Sequence, residues 1–210
     1  MKLSRIAPDR NFRRQTQSAA QDIVDYLESP FIRPCDQCHM PCACSGSSTC
    51  GCGCAPDCPA AGRQMSSDPD KYPIEAGILP LVYAFNCLGA CNPFWSCEGH
   101  IGPAGLVNRL PRVWFYARSV LYPRLITEYA AKLHVQKRTH HLWHVTVTYS
   151  DASNMDTAFS LEPNIAANLI CEAAPTLASM RADIGAISDH LVAGIKASAA
   201  WFLADTSEAG

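Results

Sequence analysis

Residues 142–149, LWHVTVTY, alternate with the two-residue period of a strand. Leu142, His144, Thr146 and Thr148 fall on one face, and Trp143, Val145, Val147 and Tyr149 on the other. A run this rich in β-branched and aromatic residues suits a half-buried pleated surface. DASN at 151–154 is turn chemistry, and TAFSL at 157–161 reads as the returning partner, so the segment predicts an antiparallel hairpin. Upstream, RVWFYA at 112–117 reads as a buried strand. FWSCEGH at 94–100 reads as a shorter strand that runs into a loop through Gly99, Gly102, Pro103 and Gly105.

Helical spacing brackets these strands. Phe12, Ala19, Ile23, Tyr26 and Leu27 share one face of a helix over 11–28, which Pro30 stops. The apolar run 74–88 predicts a second helix, with Pro80 either kinking it or marking its true first turn, and Gly89 as its stop. Val120, Leu121, Leu125, Ile126, Tyr129 and Leu133 predict a third over 119–136. Pro163 opens a helical tail, 163–173 and then 175–203. Its apolar stripe of Leu177, Met180, Ile184, Ile187, Leu191, Ile195 and Trp201 is either core or the face of a homodimer or partner protein. The expected fold class is α+β: a small mixed, mainly antiparallel sheet covered by helices, with an irregular cysteine-rich insertion ordered by metal. The expected organisation is an N-terminal helical arm (1–34), a cysteine-rich metal-binding segment (35–58), a linker (59–73) and an α+β domain with a helical tail (74–210).

Composition narrows the function classes. The chain has 210 residues, 48% hydrophobic and 17% charged, which is ample for one core plus an appendage. A net charge of −2 argues against a nucleic-acid partner, since such binders carry an excess of Lys and Arg. No run approaches the ~18 apolar residues of a membrane span, and the N-terminus has no apolar stretch of the secretory kind. The expectation is a cytoplasmic protein, in which clustered thiols serve as metal ligands or redox groups in preference to structural disulfides.

The cluster is Cys35, Cys38, Cys42, Cys44, Cys50, Cys52, Cys54 and Cys58, eight cysteines in 24 residues that are otherwise mostly Gly, Ser, Ala and Pro. So little apolar material builds no core, and cross-linking must order it. Two thiolates separated by one or two residues can grip one soft ion, and eight suit two four-cysteine zinc sites or one polynuclear cluster. The density of C-x-C resembles metallothioneins, over 35–58 only, and that resemblance implies Zn2+ or Cu(I) held by bridging sulfurs. Iron–sulfur binding is the alternative: Cys54-x3-Cys58-Pro59 matches the close of a bacterial ferredoxin run, although the preceding spacings do not. His39 stands among the thiols as a further ligand or a bystander.

A second constellation lies at 87–100, CLGACNPFWSCEGH. Cys87, Cys91, Cys97 and His100 form a candidate metal set, or the first two are packing residues. Glu98 and His100, at i and i+2 of an extended chain, share a side and suit either acid/base work or metal ligation. If the 142–149 strand lies beside the 94–98 strand, His144, with His140 or His141, joins them. The pairing of a GH loop with a later WH strand resembles zinc peptidases of the D-Ala-D-Ala carboxypeptidase class, with Val107 where those have aspartate and His141 where they have glutamate.

Three function expectations follow. The first is a metal-binding protein, acting in metal handling or as an accessory subunit of a metalloenzyme. The second is a hydrolase-like metal enzyme built on Glu98, His100 and His144, with a structural zinc. The third is an iron–sulfur electron carrier.

Overall fold

The computed structural model describes residues 70–151, 156–168 and 176–208, with Ser18, Gln21, Asp22, Val24, Asp25, Glu28, Ser66 and Asp68. The cysteine-rich segment 35–58, with its eight cysteines and His39, lies outside the described residues. So do Cys171, most of the N-terminal arm and most of the linker.

The element order is α1 (Leu79–Leu88), β1 (Cys91–Ile101), β2 (Val107–Ala117), α2 (Leu121–Val135), β3 (Trp143–Asp151), β4 (Asp156–Pro163), α3 (Ile165–Asn168), α4 (Leu177–Ser188) and α5 (Leu191–Glu208). The strands form one antiparallel sheet in the order β1-β2-β4-β3. This is the expected α+β class. The β3–β4 hairpin forms as read, with Val145 opposite Leu161 and Thr146 opposite Ser160. The described positions of the N-terminal helix, 18 to 28, are helical. Gln21 there donates to Asp25 at 2.7 Å, and Val24 packs against the core.

Local chemistry sets the boundaries. Pro80 lies in the first turn of α1, where its missing N–H goes unused, so the helix begins later than the apolar run does. Gly89 ends it in the left-handed conformation, φ 63°, donating its N–H to Phe85 and Asn86. Both β1 and β2 run further than the sequence signals. The expected loop shrinks to a hairpin turn over 102–106, in which Gly105 has φ 74° and Gly102 N–H donates to Leu106 O at 2.8 Å. Pro111 is tolerated in β2 because it lies outside the Val113–Tyr116 stretch that pairs with β4.

The tail also differs from expectation. It breaks at Asp189 and His190 into α4 and α5 because the two halves cover different elements. The helix α4 packs on α1, β1 and β2, whereas α5 packs on α2 and α1. Thr176 caps α4 through a reciprocal box with Ser179. The apolar stripe is core: Met180, Ile184, Ile187, Leu191 and Ile195 are buried, and only Trp201 of that set is exposed. Val113, Phe115, Phe159, Leu161 and Trp143 meet these helices from one face of the sheet. A bulge between Pro93 and Trp95 shifts the β1 register, so the adjacent Phe94 and Trp95 are both exposed. Phe94 stacks on Tyr116 with centroids 4.6 Å apart, and Trp95 meets Trp114 at 4.7 Å. No helix among the described residues is long and apolar enough to cross a membrane.

Candidate metal centre

The site lies at the far end of β1, beneath the turn that precedes α1. In a regular strand Cys97 and His100, three apart, face opposite ways. Gly99 between them has φ 84°, a conformation that favours glycine, and it breaks the alternation. A side chain there would also meet Leu177 Cδ1 at 2.5 Å and Pro111 Cδ at 2.9 Å. Cys97 Sγ and His100 thereby converge, and Glu75 reaches them from the turn. One donor atom from each lies within 4.8 Å of the other two.

Glu75 Oε1 and His100 Nε2 are 3.1 Å apart. Two ligands on one tetrahedral zinc, at ~2.0–2.3 Å from the ion, stand roughly 3.3–3.7 Å apart, so this pair already has about that separation. The other oxygen, Glu75 Oε2, accepts the Glu98 N–H at 2.7 Å, which fixes the carboxylate's direction as an outer-shell bond does for a metal ligand. Cys97 is buried and in no disulfide, while Glu75 and His100 are partly exposed. Carboxylate, thiolate and imidazole together suit zinc or a similar divalent ion. Among the described residues the group holds one thiolate.

The sequence expectations fare unequally here. His100 and Cys97 are in the group. Glu98 is not, because its carboxylate is already committed. Oε2 accepts the Gly77 N–H at 2.7 Å and Oε1 takes the Arg181 guanidinium at 2.6 Å. Gly77 permits this approach, since a Cβ there would lie 2.6 Å from Oε2. Arg181 Nη2 also donates to Gly99 O at 3.2 Å, so Glu98 and Arg181 tie α4 to the strand that carries the site.

The grouping of Glu98, His100 and His144 does not form. It needed β3 beside β1, and those strands are the two edges of the sheet, with β2 and β4 between them. Three strand spacings separate them, roughly 14 Å. His144 instead stands opposite Glu162 in the β3–β4 ladder.

Cys87 and Cys91 are not brought to the group either. Cys91 is a core residue of β1, six residues from Cys97 and so roughly 20 Å along the strand. Burial pushes its thiol well above the usual range. Burial likewise pushes the Cys87 thiol up to about 12, against a lesser opposing effect of its hydrogen bond with Tyr83. In both, burial favours the neutral thiol.

His140 and His141 serve a separate cluster. Asp183 is fully buried and accepts from His140 N–H at 2.7 Å, His140 Nδ1 at 2.9 Å, His141 N–H at 3.0 Å and Trp143 Nε1 at 3.1 Å. His141 Nε2 lies 2.7 Å from Ser179 Oγ.

Glu75 is the member the sequence did not offer. It sits inside the apolar run read as helix, and the turn that presents it is visible only once α1 begins at Leu79. Comparison with protein-family models, with curated proteins and with solved structures finds no match.

Proposed function

We propose that the chain is a metal-binding protein, acting in metal handling or as an accessory subunit of a metalloenzyme, and that its folded body holds one divalent ion, zinc by preference, at Glu75, Cys97 and His100. The observation that carries this reading is the convergence of three unlike donors within 4.8 Å of one another. A thiolate ligand suits a reducing, cytosolic compartment. Through the thiolates of 35–58 the chain would hold further metal, in two four-cysteine zinc sites or one polynuclear cluster with bridging sulfurs.

A second reading, a metal-dependent enzyme, is favoured by the ligand count among the described residues, where three donors converge. Structural zinc sites are closed by four protein ligands, whereas three ligands leave a position for water or substrate. The half-exposed His100 leaves that position accessible.

Elemental analysis of the full chain after anaerobic purification tests the proposal. Wild type should carry about one more zinc per chain than Glu75→Gln, Cys97→Ser or His100→Ala, each of which should fold normally. Equal zinc in all four proteins would remove the site.

A further inference from the structure

Cys97, one of the three donors, also lines a cleft of about 330 Å3, together with Trp95, Arg109 and Arg112. The β1–β2 ladder sets its chemistry. Arg112 stands directly opposite Cys97, and Arg109 directly opposite His100. Directly opposed residues of an antiparallel pair have Cβ atoms ~4.5–5.5 Å apart. Each β1 donor of the metal set therefore has a guanidinium as its cross-strand neighbour.

These cations are under-compensated. Arg109 is exposed and has no ion-pair partner among the described residues. Arg112 meets Glu162 through Nη1 at 3.5 Å, a long contact that engages few of its five N–H donors among the described residues. A guanidinium presents its donors as a planar fork that matches carboxylate and phosphate oxygens in pairs. Trp95 supplies the apolar wall. Its ring leans on Trp114 and remains 40% exposed. An indole face of this kind stacks planar rings regardless of their substituents.

We propose that this cleft binds an oxyanion carried on a planar ring, a carboxylate or a phosphate, with Arg109 and Arg112 clasping the anion and Trp95 stacking on the ring. The clasp and the stack stand on the cleft alone. An anion held there also lies beside the open position of the ion at Glu75, Cys97 and His100, and that last step rests on the metal reading. The ligand of the site is then a small aromatic acid or a nucleotide, and Glu162 yields its hold on Arg112 when the ligand arrives.

Calorimetric titration of the full-length, metal-loaded protein with benzoate and with adenosine monophosphate tests this, with inorganic phosphate as the ringless control. At least one ring-bearing probe should bind, and more tightly than phosphate. Arg109→Ala should weaken that binding about tenfold or more and leave the melting temperature and zinc content unchanged. Trp95→Ala should weaken the ring-bearing probe about tenfold and leave phosphate unaffected. The proposal fails if neither probe binds at millimolar concentration, if phosphate binds as well as both, or if binding is indifferent to Arg109→Ala and Trp95→Ala. His100→Ala separates the two readings. Should that variant carry the same zinc as wild type while Arg109→Ala still weakens binding about tenfold, the metal reading falls and the clasp stands.

Discussion

Two acid–histidine pairs in this molecule have nearly the same geometry, an exposed or half-exposed imidazole in each, and carboxylates in opposite surroundings. Asp183 lies 2.9 Å from His140 Nδ1, and Glu75 lies 3.1 Å from His100 Nε2. Asp183 is fully buried and its two oxygens take four donors, from His140, His141 and Trp143. A carboxylate can only accept, so His140 Nδ1 carries the proton in that bond. Glu75 is partly exposed. One of its oxygens takes a single backbone N–H, and the other meets an imidazole with a thiol close by. The first pair has spent its bonding capacity on joining the β3 approach to α4. The second has capacity left, and it has it where solvent can deliver an ion. Residue type and distance do not separate a structural pair from a binding pair; unused valence does.

The largest effect should come from the saturated pair. Asp183→Ala strands the His141 backbone N–H and the Trp143 indole N–H in a dry interior, and removes the carboxylate that holds the His140 N–H and its exposed imidazole. That should cost about 3–5 kcal/mol of unfolding free energy by denaturant titration. Zinc content of the protein that remains folded should not change. A loss below about 1 kcal/mol would erase the contrast, because the Asp183 cluster would then be as loosely held as the Glu75 one.

Two glycines come next, and they separate stability from binding. Gly99→Ala must hold φ near 84° while its methyl meets Leu177 and Pro111. It should cost about 2–4 kcal/mol and also pull Cys97 and His100 apart, lowering zinc content. Gly194→Ala drives a methyl into the ring of Tyr129 where α5 crosses α2. It should cost about 1–3 kcal/mol with zinc unchanged. If both lose zinc equally, metal content is following global stability and not the site.

Smaller still is the stability effect at the open pair. Glu75→Gln and His100→Ala remove a partly exposed carboxylate–imidazole contact, worth about 0–1 kcal/mol in the metal-free protein. Their melting temperatures in chelator should match wild type within a few degrees, and a separation should appear only when zinc is added, by mass action on the native state. A large loss in chelator would place Glu75 and His100 with Asp183, as structure and not as a site.

The contrast also explains how much was legible in advance. Strand alternation at 142–149 and turn residues at 151–154 made the hairpin readable, because both are local. The helix over 121–135 was readable from its spacing for the same reason. Strand order was not, since nothing in LWHVTVTY states which neighbour it takes, and that one unknown put His144 into a site that the sheet keeps apart. His100 and Cys97 were visible as chemistry. Their convergence depends on the φ of Gly99, which reads in sequence as the start of a loop. Glu75, Arg109 and Asp183 carry no local signal, because each owes its role to a contact made across the fold.

The finest test of the saturated cluster is its response to acid. His141 is buried beside Asp183, and burial, the dominant effect, holds its imidazole below the ordinary 6.5; Asp183 opposes this, while His140 and His134 add to it. The sign follows from proton uptake. As pH falls through 6.5 the unfolded chain takes a proton at His141 before the native one does, so the native state loses stability. The contribution is complete above that pH and is lost below it. Melting temperature measured from pH 8 down to about 5.5 should therefore fall more steeply in wild type than in His141→Gln, whose amide keeps a polar contact to Ser179 without a titrating ring. Parallel curves would mean that the native state protonates His141 as readily as the unfolded chain does. The Asp183 cluster would then have spare capacity for a proton, and the distinction between a closed and an open pair would rest on solvent access alone.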